Sequence, residues 1–170
     1  MIQERNFLIV VSALCLLWWG TVYAFNQGDL TRVNEMNDCP KCDLSGADLV
    51  NAKKNNMNFS EANLSRANLT NASLIGTNLT RANLTRANLS KVNLRDANLS
   101  GANLSGARLI DAWLSGTNLS GANLTGAYIF RSNLAGADLT GANLTGARLD
   151  EAVWTDGTKC KEGSVGTCNR

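Results

Sequence analysis

Residues 97–109 read ANLSGANLSGARL, and this five-residue repetition decides the fold of the chain. The same unit, with close variants, is repeated 22 times, with central positions from Leu44 to Leu149. Each unit has Leu at a central position and a small residue, usually Ala, two positions earlier. The central position departs from Leu only at Lys54, Phe59 and Ile129. Such internal repetition determines the architecture before any secondary structure is considered.

A period of five fits neither the alternation of a β-strand nor the 3.6 residues per turn of an α-helix. No straight element can therefore bury both the Leu and the Ala positions. Asn before each Leu and Gly or Arg two residues after it favour turns. We expect the chain to turn once per unit and to wind into a coil with Leu along its axis. Successive coils would be joined by backbone hydrogen bonds about 4.8 Å apart.

The composition excludes several classes of function. The 170 residues carry a net charge of +2, no His and 6% aromatic residues. A charge so near zero argues against a nucleic-acid partner held by phosphate contacts, and equally against an acidic mimic of DNA. Without His, the commonest general base and zinc ligand are missing. We therefore expect no catalytic site, no metal site and no cofactor.

The first 24 residues have the layout of an export signal. Arg5 precedes an apolar run from Phe7 to Trp19, and Ala24 ends a motif with small residues at the cleavage-recognition positions. An uncleaved membrane anchor is the alternative, since the apolar segment just reaches the length that crosses a bilayer. Membrane contact is expected only through residues 1–24, and only if they are retained.

The repeats resemble the pentapeptide-repeat family, whose unit is A-(D/N)-L-X-X. The resemblance covers roughly residues 43–153 and implies an all-β fold, a right-handed quadrilateral β-helix with four units per coil. The two ends, CPKCDLSGADL at 39–49 and WTDGTKCKEGSVGTC at 154–168, further resemble exported cyanobacterial members of the periplasm or thylakoid lumen. The family also includes topoisomerase inhibitors that mimic an acidic duplex, which a charge of +2 fits badly.

This architecture divides the chain into four parts, because the ends of a coil stack need caps. They are a signal peptide at 1–24, an N-terminal cap at 25–38, the β-helix at 39–153 and a C-terminal cap at 154–170. The three-residue spacing of Leu30, Val33 and Met36 predicts a short helical turn in the N-terminal cap. The C-terminal cap is expected to be irregular, with Trp154 filling the last coil.

Cleavage after Ala24 leaves four cysteines, an even number that favours disulfides in an exported chain. They are Cys39, Cys42, Cys160 and Cys168. With four units per coil the two pairs stand about 26 Å apart, whereas a disulfide needs Cα atoms within about 7 Å. We expect each pair to close on itself, and no metal site shared by all four. CPKC also has the spacing of thiol–disulfide exchange sites, so a regulatory disulfide remains the alternative to a structural one.

Residues twenty apart lie above one another if four units make one coil. One side of the stack then carries a ladder of alternating charge: Lys91, Asp111, Arg131 and Glu151. The same side gathers exposed apolar, aromatic and Arg residues, the composition of a protein-binding surface. This interaction patch consists of Arg108, Ile110, Tyr128, Phe130, Arg131 and Arg148, together with Trp113 just around the corner. Tolerated surface drift, or cover by the C-terminal tail, are the alternatives.

Lys54 falls in a central position, where an unpaired ammonium is very costly to bury. The sequence predicts a bulge or an outward rotation there, with Met57 and Phe59 restoring the register.

As to function, the sequence predicts a non-catalytic binding or scaffold module in an exported compartment, with a protein partner that it does not name. The alternative is a redox-responsive accessory protein that uses Cys39 and Cys42. A DNA-mimic topoisomerase inhibitor is the least favoured reading.

Overall fold

A computed structural model describes residues 26–35 and 38–170 of the chain. The export signal predicted at residues 1–24 lies outside the described residues. Helix α1 spans Gln27–Asn34, and every other described residue lies outside a helix. No helix in the described ranges is both long enough and apolar enough to cross a membrane.

The repeats form a stack of coils with twenty residues in each. Parallel bridges join residues twenty positions apart, beginning with Asp43 and Asn63 and ending with Asn133 and Val153. Four five-residue units therefore make one coil, as the family resemblance implies. Each bridge is isolated, so the sides of the coils are very short extended segments. Residues twenty apart consequently share one side of the stack.

Each corner of the coil is a turn with a left-handed residue. The second residue after the central position has a positive φ, for example 64° at Gly101 and 56° at Arg86. Gly adopts this conformation without a steric penalty, whereas Arg, Lys, Asp and Glu pay a modest one. Before the turn, the Asn98 side chain accepts a hydrogen bond of 3.0 Å from the Ser100 N–H. Such local bonds favour turning over extension and explain Asn at this position.

The core is a column of Leu and Ala along the axis of the stack. Leu84 and Leu104, which lie one above the other, are 0% exposed, as are Ala82 and Ala102 beside them. Small residues fit the second inward position because each coil closes after only twenty residues. The apolar interior therefore comes from a repeated side chain of constant size, with few aromatic residues.

The prediction of a bulge or an outward rotation at Lys54 is wrong. The Lys54 N–H donates to the Ser73 carbonyl at 2.8 Å, so the register continues through this unit. The Lys54 side chain is buried, and its Nζ donates to the Val33 carbonyl near the C-terminus of α1. The carbonyl end of a helix favours a cation. The partner of the ammonium comes from outside the repeats, which is why the repeat pattern alone does not reveal it.

Helix α1 packs against the first coil. Asn26 caps the helix, and its side chain accepts from the Gly28 N–H at 2.9 Å. Val33 is fully buried in the core. Asp29 Oδ2 accepts from the Asp43 N–H at 2.9 Å and ties the first helical turn to the first coil. The short helix that the sequence predicts here is present in the described residues.

At the other end, the tail folds back on the last coil. Antiparallel bridges join Arg148 with Val165 and Val153 with Lys159. These contacts lie on two of the four sides of the stack. On the other two sides the last central residues, Leu139 and Leu144, are only partly buried. Trp154 is also partly buried against the core.

Candidate interaction surface

The repeat aligns three residues of the interaction patch in one column. Arg108 bridges to Tyr128, and Tyr128 bridges to Arg148, each pair on neighbouring coils. They occupy the position before the central residue, where most units carry Asn. The Tyr128 side chain is 47% exposed. A phenol ring thus stands on the surface with an Arg on the coil above and another on the coil below.

A second column of the patch follows the central residue. Ile110 and Phe130 share this column, and both are half-buried. The Arg131 guanidinium lies 5.4 Å from the centre of the Phe130 ring, within the range of a cation–π contact. Apolar surface is therefore continuous from one coil to the next, with an Arg folded beside it.

An ion pair orders the corner beside this column. Arg131 donates to Asp111 through two bonds, 2.8 Å from Nε and 3.0 Å from a terminal guanidinium nitrogen. These bonds lower the pKa of Asp111 and raise that of Arg131, and Lys91 adds a smaller lowering of the Asp111 pKa. A fork of this kind fixes the guanidinium as well as attracting it. The central part of the predicted charge ladder is thus present. Glu151 instead contacts Lys159 of the tail, at 3.4 Å.

Trp113 lies around the corner, on the neighbouring side, and is 49% exposed. The Arg95 guanidinium lies 4.1 Å from the centre of the Trp113 ring. Sequence reasoning missed Arg95, although the number of residues between Arg95 and Trp113 indicates that the two are neighbours. In a twenty-residue coil, a residue eighteen positions before Trp113 is its diagonal neighbour on the adjacent coil.

A groove of about 500 Å³ runs along the same corner. Its lining comprises Asn71, Ala72, Ser73, Lys91, Asn93, Asp111 and Trp113. Apart from Trp113 and Ala72, the side chains that line the groove are polar. The patch therefore combines an apolar surface with a shallow polar channel beside it.

Sequence reasoning also missed Asp150, which is buried beneath the tail. Its carboxylate accepts from the Gly163 N–H at 2.7 Å and from Arg148 Nε at 3.2 Å. The Gly163 N–H is the main cause of its lowered pKa, and Arg148 adds to it. The signal was an Asp in place of the usual Ser or Thr after the central residue. Arg148 is thereby held at the edge of the patch, with its side chain 53% exposed.

The tail leaves Trp113 and Tyr128 of the patch uncovered. Its bridges reach Arg148 and Val153 in the last coil, while Trp113 and Tyr128 keep about half of their surface exposed. The alternative in which the tail hides these two side chains is therefore wrong. Arg108 and Arg131 are exposed as well.

The four predicted cysteines lie in two neighbouring pairs. Cys39 and Cys42 have their Cα atoms 5.4 Å apart, and Cys160 and Cys168 5.0 Å apart, with the sulfur atoms of each pair at disulfide distance. Both members of the first pair are buried, whereas Cys168 is only partly so. One pair stands at each end of the coil stack.

Comparison with known proteins gives concordant matches. A model of pentapeptide repeats matches in eight copies, over residues 42–81, 62–101, 102–129 and 122–153. The crystal structure of Rfr23, a pentapeptide repeat protein from the cyanobacterium Cyanothece 51142, is similar. It has 31% identity over 75% of this chain and 97% of that chain, with a TM-score of 0.60. A pentapeptide repeat protein of the Arabidopsis thaliana thylakoid lumen has 31% identity over 58% and 66% of the two chains, with a TM-score of 0.43. No curated protein sequence matches.

Proposed function

Because the chain belongs to the pentapeptide-repeat family, we propose that it is a non-catalytic binding module that docks an acidic protein segment on its interaction patch. The module is a right-handed quadrilateral β-helix over residues 39–153. The segments at 25–38 and 154–170 act as its caps. Rigid coils present the patch on short, regularly spaced segments, which reduces the ordering that binding requires.

The exposed aromatic residues carry the proposal. Trp113 and Tyr128 are each about half exposed, at positions where the repeat normally has Asn. An Asn at this position serves its own turn, as Asn98 does, whereas Trp and Tyr make no such local bond. Trp, Tyr and Arg are the residue types that dominate the energetics of protein interfaces. At these two positions the hydrogen bond from the turn to an Asn side chain is absent, and an exposed aromatic side chain suited to a protein partner takes its place.

The charge of the patch selects the chemistry of the partner. Five cations surround the aromatic rings, and three carboxylates accompany them. The cations are Lys91, Arg95, Arg108, Arg131 and Arg148, and the carboxylates are Asp111, Asp150 and Glu151. Within the described ranges, Lys91 and Arg108 form no ion pair. An excess of positive charge steers and favours an acidic partner, and it opposes the acidic surface that a DNA mimic in topoisomerase inhibition requires.

The compartment follows from the cysteines and the first 24 residues. Disulfides persist in oxidising compartments, and we assign both cysteine pairs as disulfides. We place the protein in the thylakoid lumen or periplasm, with residues 1–24 removed as a signal or kept as an anchor. The mass of the mature protein distinguishes these two forms.

A variant that restores the repeat residues tests the patch with little risk to the fold. Trp113→Asn, Tyr128→Asn and Phe130→Ser, combined, replace the three aromatic side chains with residues that other units carry. We expect wild type to enrich acidic sequences from a displayed library of random peptides. The triple variant should bind an enriched peptide more than about tenfold more weakly, because aromatic anchors dominate such interfaces.

Arg108→Gln and Arg86→Gln form a matched pair of single-charge controls. Arg86 lies on a side without aromatic residues, so its loss should leave peptide binding unchanged, whereas the loss of Arg108 should weaken it. Thermal unfolding of each variant checks the fold. Equal binding by the triple variant, the lack of any acidic enrichment, or equally tight binding of a DNA duplex would each overturn the proposal.

The Cys39–Cys42 pair favours a second function, that of a redox-responsive accessory protein. Both residues are buried at the junction of α1 with the first coil. A change in their oxidation state would therefore act at the contact that holds α1 in place.

A further inference from the structure

We propose that Cys39, Cys42 and Asp29 form a site for a thiophilic divalent cation such as Zn²⁺ when the cysteine pair is reduced. The ligand atoms of these three residues all lie within 4.8 Å of one another. They come from two elements that α1 brings together, its own first turn and the start of the first coil. The site lies at the N-terminal end of the stack, away from the interaction patch, so either assignment can fail without the other.

The three side chains are held in place before any cation binds. Cys39 and Cys42 are 0% and 2% exposed. Asp29 Oδ2 accepts from the Asp43 N–H, which orients the carboxylate and leaves lone pairs on both oxygens for a ligand. A hydrogen-bonded carboxylate is typical of metal ligands, whose partners fix their orientation.

The donor set suits a thiophilic cation. Zn²⁺ binds Cys sulfur at about 2.3 Å and carboxylate oxygen at about 2.0–2.2 Å, and two cysteines with two residues between them are a common source of two ligands. Thiolates select such cations over Mg²⁺ and Ca²⁺, which prefer oxygen. Three protein ligands leave one tetrahedral position for water. Reduction frees the two sulfur atoms to separate from bonding distance to the wider spacing of two ligands on one cation, and the Asp29 carboxylate already lies within 4.8 Å of both.

The oxidation state of the cysteines gates the site. In the disulfide, each sulfur is bonded to the other and no thiolate is available. A dithiol reductant breaks the Cys39–Cys42 bond by exchange, forms its own disulfide and leaves its two protons on the cysteine thiols. Binding of the cation then displaces these two protons. Electrons and protons therefore balance with the dithiol as the only co-reactant.

The second cysteine pair provides an internal control. In the part of the chain that the structure describes, only the group of Asp29, Cys39 and Cys42 brings three such ligands this close. Cys160 and Cys168 thus offer two thiols without a nearby carboxylate. Two thiols alone are not expected to hold the cation in the same geometry.

Cobalt(II) is a spectroscopic probe for this site, since thiolate ligands give it a characteristic charge-transfer absorption. All proteins carry Cys15→Ser, so that only the four cysteines of the two pairs remain. With Cys160→Ser and Cys168→Ser added, the reduced protein should bind one Co²⁺ with this absorption, and Zn²⁺ should displace it. The oxidised form should show no such band. With Cys39→Ser and Cys42→Ser instead, neither oxidation state should show it.

Asp29→Asn tests the third ligand. The amide oxygen can still accept from the Asp43 N–H, so the helix contact is retained and thermal unfolding without metal checks it. We expect the affinity for Zn²⁺ to fall at least tenfold. An unchanged affinity, no charge-transfer band in the reduced protein with only the first pair, or equal binding by the second pair would each overturn the proposal.

Discussion

The two ends of the coil stack are covered by different means. At the N-terminal end, α1 buries Val33 in the core, and Leu44 in the first coil is 0% exposed. At the C-terminal end the tail pairs with only two sides of the last coil, and Leu144 remains partly exposed. Identical units therefore have different environments. The contribution of a repeat residue to stability therefore depends on whether its coil is covered by another segment, as well as on its position in the unit.

Leu44→Ala and Leu144→Ala should separate the two ends most clearly. Both residues occupy the same side of the stack at the same position in the unit. Leu44→Ala should lower the free energy of unfolding by about 2–5 kcal/mol, because it leaves a cavity in a closed core. Leu144→Ala should cost less than about half as much, since its side chain is already partly in water. Urea denaturation measures both values.

Leu104→Ala is the control for this comparison, because Leu104 lies on the same side in a middle coil and is 0% exposed. Its cost should match that of Leu44→Ala. If Leu144→Ala costs as much as either of the others, the C-terminal end is as well covered as the N-terminal end.

Asp150→Asn should loosen the C-terminal end next most strongly. The carboxylate accepts from the Gly163 N–H and from Arg148, and hydrogen bonds to a charged group contribute about 1.5–3 kcal/mol. Because folding lowers the Asp150 pKa, its contribution is present above the unfolded pKa of about 3.9 and is lost as the pH falls through the folded value. Wild type should thus lose more stability than Asp150→Asn on acidification below about pH 4.

Asp138→Asn is the matched control, since Asp138 is exposed and its position normally holds Asn. Surface changes of this kind usually stay within about 0.5 kcal/mol. Hydrogen exchange at Gly163 reports directly on the tail. If exchange there is as slow in Asp150→Asn as in wild type, the carboxylate does not hold the tail.

The sequence predicts the periodic part of the molecule well and its ends less well. The four units per coil that the family resemblance implies are present, and Arg131 lies on Asp111 as the charge ladder predicts. The contact of Arg95 with Trp113 could also have been predicted, because it follows from the same stacking of coils. The exposure of Trp113 was predicted only as one alternative, because the path of the tail has no period and the tail could have covered the patch. Contacts between repeat and non-repeat residues have no period and require the structure.

Lys54 makes such a contact between a repeat and a non-repeat residue. Its substitution should change the free energy of unfolding less than Leu44→Ala or Asp150→Asn does. The ammonium is buried under α1, and burial lowers the Lys54 pKa. Between the folded pKa and the ordinary 10.5 the unfolded chain binds more protons, so the stability of wild type should rise with pH in that range. Lys54→Leu restores the repeat residue and should add about 1 kcal/mol at pH 7, since a buried charge often costs more than its contact returns.

The rise in stability with pH should disappear in Lys54→Leu. It should persist in Lys53→Gln, because the Lys53 side chain is exposed. The Val33 carbonyl keeps a partner in the variant, because it also accepts from the Glu35 N–H. Denaturation at pH 7 and pH 10 measures both effects. A less stable Lys54→Leu at pH 7 would mean that the ammonium holds α1 more strongly than its burial costs. The N-terminal end would then depend on a charged contact as the C-terminal end does, and the difference between the two ends would narrow.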